Sequence, residues 1–339
     1  MAKSFEKNKE LNYLAIIKAV VFLVAVALAF VLLLVIVQRA SETPTVSVPE
    51  QSETSIETST EDSLPDSDTS LPPVVINPTV NYVPIELDTN AIHSGTTILV
   101  NGSNEFVFPS DEFAPTMADS KNSDYYVRDR SVCLRTEVTE KLNELMSEYR
   151  ATKSKKNIMV YNGYLDRDAQ KSYYDRAVNN YGEDKASMMQ AKPGFADAHT
   201  GLSIDLRMYN NGEVSDFKGE DETLWIVENA HRYGFIVRYP DGKEMTTGLN
   251  ASASKYRYVG LPHSVLIKNN ELTLEEYIAK VKAYTYETSH WYCEFEGSTY
   301  EVYFAPASRE AKTVVYVPGD MEYTISGNNV DGFIITIKY

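Results

Sequence analysis

From Ala19 to Val37 the chain runs through 19 consecutive apolar residues with no glycine, proline or charge. At about 1.5 Å per helical residue such a run reaches roughly 28 Å, close to the thickness of a bilayer's hydrocarbon core. A cleaved signal peptide has a shorter apolar stretch, of roughly 7–15 residues, ending in a small-x-small site. Here the pattern Ala27-Leu28-Ala29 lies inside the run. Residues 14–38 therefore read as an uncleaved single-pass anchor, extended through Leu14–Ile17 as Lys18 snorkels. Lys3, Lys7, Lys9 and Lys18 lie on one side of it and Arg39 on the other. That asymmetry places residues 1–13 in the cytoplasm and the C-terminal body outside the membrane.

Residues 39–81 are a different material. Between positions 41 and 80 there are 15 Ser or Thr, 6 Pro, 8 acidic residues and no basic ones. So few large apolar side chains do not offset the entropy of ordering the segment, and the composition predicts a disordered linker. The whole chain has 32 basic and 48 acidic residues, a net charge of −16. Nucleic acid is excluded as a partner by that balance, because phosphate backbones are held by clustered Lys and Arg.

The body reads as α+β, a mixed or antiparallel sheet with helices. An extension over 82–132 carries strand-like runs at Thr96–Val100 and Glu105–Phe108 around the turn Asn101-Gly102-Ser103. Val138, Leu142, Leu145, Met146 and Tyr149 have helical spacing. Asp166 is placed to cap a second helix that Gly182 closes. Strands are expected over Asn157–Tyr161, Leu202–Met208 and Phe235–Tyr239, with a helix over Leu224–Tyr233 ended by Gly234. Thr273-Leu274-Glu275-Glu276 is a capping box. Beyond Glu287 four short apolar runs separated by Pro, Gly and Asn predict a small all-β appendage over 288–339.

Three passages of the core, 133–287, resemble the VanY-type D-alanyl-D-alanine carboxypeptidases, zinc peptidases that trim peptidoglycan stem peptides. Asn162-Gly163-Tyr164-Leu165-Asp166-Arg167-Asp168-Ala169-Gln170 is similar to the family's Ser-Gly-Tyr-Arg-Ser-x-x-x-Gln. Pro193-Gly194-Phe195-Ala196-Asp197-Ala198-His199-Thr200-Gly201-Leu202-Ser203-Ile204-Asp205 is similar to Pro-Gly-x-Ser-Glu-His-x-Thr-Gly-Leu-Ala-x-Asp. Tyr233–Pro240, Thr247-Gly248 and Tyr256–His263 follow the passage around the family's Glu-Pro-Trp-His motif. The resemblance implies a VanY-like zinc-peptidase fold, with two His and one Asp on Zn²⁺, a Glu as general base and an Arg for the substrate carboxylate.

Carried over position by position, most of that machinery is missing. The zinc Asp is kept as Asp205, but the two zinc His fall on Ala198 and Lys255. The base falls on Ser252, the carboxylate-binding Arg on Leu165, and a Ser before the first ligand on Ala196. His199 is a weak substitute ligand, one residue out of place. On a strand, such a slip turns a side chain to the opposite face. An ammonium at position 255 also repels a metal cation. No bound cofactor is expected. Tyr164, Gln170, Ser203 and Arg257 are the candidate groove residues.

Other chemistry is weakly marked. His263 reads as a packed, hydrogen-bonded residue, and His93 and His290 have no evident partner in the sequence. No Gly-x-Ser-x-Gly elbow is present. Cys133 and Cys293 frame the core, and in an oxidising compartment they are a candidate disulfide. The expected function is therefore a membrane-anchored, extracytoplasmic pseudoenzyme of this family, binding a peptidoglycan stem peptide or a cell-envelope protein. Its rivals are an active metallo-D,D-carboxypeptidase with an unorthodox site and an interaction module that uses the β appendage.

Overall fold

Helical spacing at the start of the core produces a long helix, α1, over Thr136–Lys153, whose buried face is Val138, Leu142, Leu145, Met146 and Tyr149. The computed structural model describes residues 80–109 and 116–339, all within the unit Thr69–Tyr339. The expected anchor, and all of the linker before Val80, lie outside the described residues. Among those described, no helix is long and apolar enough to cross a membrane.

In chain order the strands are β1 (Tyr82–Asp88), β2 (Tyr126–Val127), β3 (Ile158–Asn162), β4 (Ser203–Asn210), β5 (Glu213–Asp216) and β6 (Phe235–Tyr239). They continue with β7 (Ser252–Tyr258), β8 (Trp291–Phe295), β9 (Ser298–Pro306), β10 (Lys312–Pro318), β11 (Tyr323–Gly327) and β12 (Gly332–Lys338). The helices after α1 are α2 (Arg167–Tyr181), α3 (Glu183–Met189), α4 (Leu224–Asn229), α5 (Glu244–Thr247), α6 (His263–Asn269) and α7 (Leu274–Val281). The site is built on a six-stranded sheet of order β2-β3-β4-β7-β6, with β5 hairpinned onto β4. Only β2–β3 is parallel; the other pairs are antiparallel. The buried face of α1 packs with Val160, Leu202, Ile204, Leu206, Phe235 and Tyr256 into one apolar cluster.

Local signals set the helix ends. Asp166 caps α2 by accepting from the Ala169 N–H at 2.7 Å, and Gly182, at φ 79°, ends it. Both arms of the Thr273–Glu276 capping box are made at the start of α7. The stretch expected as one helix over Leu224–Tyr233 instead divides into α4 and a 3₁₀ turn, closed by left-handed Gly234.

The strands after Glu287 form a four-stranded antiparallel sheet, β11-β12-β9-β8, while β10 pairs with β1. Strand β1 had no clear signal in the sequence; its partner lies more than 220 positions away, Tyr82 opposite Pro318. Tyr277, Ile278 and Val281 of α7 pack against Cys293, Val302 and Phe304 of that sheet. The β strands at the C-terminal end thus share a core with α6, α7 and the N-terminal extension.

Two expectations fail. Thr96–Val100 and Glu105–Phe108 are not strands; only an isolated bridge, Asn101 to Asn104, forms between them. Ile98, Leu99 and Val100 are nevertheless buried. Their carbonyls are satisfied by side chains instead of a ladder, as buried peptide groups require, while the Leu99 N–H donates to the Asn328 carbonyl at 3.0 Å. Arg257 donates to the carbonyls of Thr96 and Ile98 at 3.0 and 2.7 Å, and Asn329 donates to those of Leu99 and Glu105 at 2.8 and 3.0 Å. The Cys133–Cys293 disulfide is also absent, and both residues are thiols. Cys133 lies between Val132 and Leu134 of the first core cluster, with Sγ 3.4 Å from the Ser131 carbonyl, whereas Cys293 is buried in the second cluster.

Candidate functional site

Antiparallel pairing brings Asp205 of β4 directly opposite Lys255 of β7, and Asn162 of β3 opposite Asp205 on the other side. Three polar side chains therefore share one level across the sheet. Above them a 3₁₀ turn, Asp197–Thr200, is fixed by Thr200, whose hydroxyl donates to the Asp197 carbonyl at 2.7 Å. Left-handed Gly201, φ 67°, then feeds the chain into β4. The turn, the N-terminal part of α2 and strands β3, β4 and β7 enclose a groove of about 280 Å³.

All six positions carried over from the family motifs line this groove: Leu165, Ala196, Ala198, Asp205, Ser252 and Lys255. Asp205 is the centre of its polar floor. One carboxylate oxygen accepts from Ser254 Oγ at 2.8 Å; the other is 3.5 Å from Lys255 Nζ and 3.9 Å from Arg207 Nη2. Ser252 Oγ lies 3.1 Å from Ser254 Oγ. The zinc implied by the resemblance does not fit this set. Ala198 offers a methyl group where a ligand is needed, and Lys255 offers an ammonium, which repels a metal ion and has no lone pair to give. Among the described residues no three His, Cys, Asp or Glu side chains are grouped to hold a metal. A serine hydroxyl at 252 is also no general base at neutral pH, since a neutral hydroxyl has almost no affinity for a further proton.

His199 does not step in. Its ring is fully buried against Phe106 and Phe108. Nδ1 donates to the Leu165 carbonyl at 2.6 Å, and Nε2 accepts from the Gly194 N–H at 2.9 Å. Both nitrogens are used by backbone, so no lone pair faces the groove. Burial pushes the imidazole pKa down, which keeps it neutral.

Of the groove candidates, Gln170 and Ser203 line the cavity, whereas Tyr164 and Arg257 are not part of its wall. Gln170 ties α2 to the loop after α3 through the Ala191 carbonyl, 2.6 Å. Ser203 donates to Asp197. Arg257, fully buried, is a structural staple: besides the two strap carbonyls it pairs with Asp197 and donates to the Tyr258 carbonyl at 3.0 Å. Asp197 also lies 3.4 Å from Arg238 Nε, and Arg238 makes a bidentate pair with Glu275 at 2.7 and 3.0 Å. Burial alone would raise the Asp197 pKa, but the two guanidiniums hold it below the ordinary carboxylate range.

Sequence reasoning missed Arg207, Ser254, Tyr161 and Tyr173, all of which line the groove. A signal existed for two of them: residues two apart on a strand share a face, which places Arg207 with Asp205 and Ser254 with Ser252. Tyr161 is flanked by the Arg128 and Arg207 guanidiniums, 5.2 and 5.7 Å from its ring centre. Asn162 Oδ1 accepts from Arg128 at 2.6 Å and from the Tyr173 hydroxyl at 3.2 Å. Three of the four remaining histidines make structural contacts. His263 bonds to the Tyr277 hydroxyl at 2.6 Å and lies 3.3 Å from Thr336 Oγ1, His93 meets Asn329 at 2.7 Å, and His290 pairs with buried Glu301.

Comparison with known proteins agrees with this architecture. A model of the VanY D-alanyl-D-alanine carboxypeptidase family matches residues 131–261. The chain is 30% identical over 251 residues to a D-alanyl-D-alanine carboxypeptidase of Enterococcus faecium, an alignment covering 73% of this chain and 76% of that protein. It is 31% identical over 153 residues to the bifunctional D-Ala-D-Ala dipeptidase and carboxypeptidase VanXYC of Enterococcus gallinarum, covering 44% of this chain and 79% of that one. Among solved structures, the D,D-dipeptidase VanXYg, in complex with a D-Ala-D-Ala phosphinate analogue, superposes with a TM-score of 0.69 at 28% identity, over 76% of this chain and all of that one. By its 30% identity to a relative covered over 76% of its length, and by the family model matching its core, this chain belongs to the D-alanyl-D-alanine carboxypeptidase family.

Proposed function

We propose that this chain is a non-hydrolytic member of the family, one that binds the peptide stems of peptidoglycan without cleaving them. The observation that carries the reading is the floor of the groove. Asp205, the kept ligand position, is engaged by Ser254 and lies beside the ammonium of Lys255, where a zinc-binding His is required. Without the metal there is no activated water, and without a carboxylate at position 252 there is no base to take its proton. The groove itself is retained, with Gln170, Ser203 and Tyr173 in its wall and a volume suited to a short peptide end. The relatives named for action on D-Ala-D-Ala support stem peptide as the ligand class.

The apolar run Ala19–Val37 and the lysines before it support a place outside the cytoplasmic membrane, held by a single anchor. Added protease that digests the body on intact wall-stripped cells supports this orientation; protection until lysis contradicts it. The functional test is incubation of the full chain with stem pentapeptide and zinc, recording binding and released D-alanine together. Binding without release is expected. Sustained release overturns the reading.

A further inference from the structure

We propose that the Lys255 ammonium stands in for the family's metal as the fixed positive charge of the groove, and that it anchors the free C-terminal carboxylate of a short peptide with small side chains. This rests on the stem-peptide reading above and adds to it the anchoring residue and the end group required of the ligand.

The geometry leaves Lys255 able to do this. Its side chain is 36% exposed and Nζ lies 3.5 Å from Asp205. An ammonium carries three donors, so a single long contact leaves others for a ligand. Arg207, 31% exposed, approaches the same Asp205 oxygen at 3.9 Å while its other arm holds Asp216 at 2.7 Å. Lys255 and Arg207 thus face one buried carboxylate, and because Asp216 holds Arg207, the Lys255 ammonium is the floor cation left with a single long contact. The deeper charges of Arg238, Arg257, Asp197 and Glu275 balance among themselves.

Cation placement has moved relative to the family pattern. Leu165 puts a hydrocarbon where that pattern has a carboxylate-binding Arg, and Lys255 puts a charge where it has a zinc His. A bound carboxylate is therefore drawn away from α2 and onto the β4–β7 floor. The groove lining includes Leu165, Ala196, Ala198 and Leu249 among its apolar members. Their small or hydrocarbon surfaces suit methyl-sized side chains. Ser252 adds a hydroxyl beside the anchor.

The test uses the full chain treated with a chelator and titrated calorimetrically with diacetyl-L-Lys-D-Ala-D-Ala, then with the same peptide as its C-terminal amide. A charge-assisted bond of this kind is expected to make the amide at least about tenfold weaker. Lys255→Gln is expected to bring the acid down to the affinity of the amide, and Lys255→Arg to keep the preference. Both variants are expected to keep the native circular dichroism, as a position 36% exposed at its side chain implies. Equal binding of acid and amide by the unaltered chain, or a preference that survives Lys255→Gln, overturns the anchor while leaving stem-peptide binding in place. Binding of neither peptide overturns the stem-peptide reading and the anchor with it.

Discussion

Replacing Arg257 by Met tests the claim that this residue holds the groove's floor to the strap over Thr96–Val100 and does not belong to the ligand site. The side chain is fully buried, and it serves Asp197 and the carbonyls of Thr96, Ile98 and Tyr258. Methionine fills much of the same volume but supplies no donor. Asp197 keeps Arg238, 3.4 Å away, and the Ser203 hydroxyl, so it is not wholly abandoned. Removing one partner of a buried ion pair costs about 3–5 kcal/mol. Each buried carbonyl left without a donor costs about 1–3 kcal/mol unless water reaches it. A net loss on the order of 5 kcal/mol is expected for Arg257→Met, enough to lower the melting temperature by about 10 °C or more. The control is Arg207→Met, whose close partner Asp216 is largely exposed and which leaves Asp205, 3.9 Å away, with Ser254 and Lys255; its cost is expected at about 1 kcal/mol. Urea denaturation followed by circular dichroism measures both. The double variant Asp197→Asn with Arg257→Met is expected to cost less than the sum of the two singles, because the first removes the charge that the second strands. A loss under about 1 kcal/mol for Arg257→Met contradicts the staple assignment.

Rebuilding the family site with Leu165→Arg, Ala196→Ser, Ala198→His, Ser252→Glu and Lys255→His is expected to give one zinc per chain by elemental analysis; a folded variant without zinc shows that the motif positions are misassigned. Burial drops the His263 imidazole from its ordinary 6.5 to about 4, so the unfolded chain takes up a proton below pH 6.5 that the folded chain refuses. Stability is therefore full above pH 6.5 and falls towards pH 4, by on the order of 3 kcal/mol from this group. His263→Gln is expected to flatten that part of the pH dependence of urea denaturation, and an unchanged slope would refute the contribution. The same denaturation run with and without reductant is expected to give one midpoint, and thiol titration of the unfolded, unreduced chain to give two thiols; a midpoint that falls on reduction restores the disulfide.

The parts of this fold that were legible in sequence are those set by local chemistry. Asp166, Gly182 and the Thr273–Glu276 box fix helix ends within a few residues of themselves. The buried stripe of α1 follows from spacing alone, and the motif passages assign Asp205 and Lys255 to one site, which the β4–β7 register brings opposite each other. What could not be read depends on distant partners. The strap over Thr96–Val100 is apolar enough for a strand, yet Arg257 and Asn329, more than 150 positions away, take the carbonyls a ladder needs. Arg257 is a groove candidate from the motif passage it stands in; its place beneath the groove is decided by Asp197, which no period reveals. His199 stood one residue from a ligand position, and only the folded turn shows both of its nitrogens spent on backbone. The cysteine pair framed the core in sequence, but in space Cys293 enters the second apolar cluster while Cys133 is only half-buried beside the first.

Equilibrium dialysis of the unaltered full chain against zinc, with the retained metal counted and the same sample assayed for D-alanine release from stem pentapeptide, bears most directly on a groove in which Lys255 takes the metal's place. Zinc well below one equivalent and no release are expected. One tightly held zinc per chain together with steady release of D-alanine would contradict it.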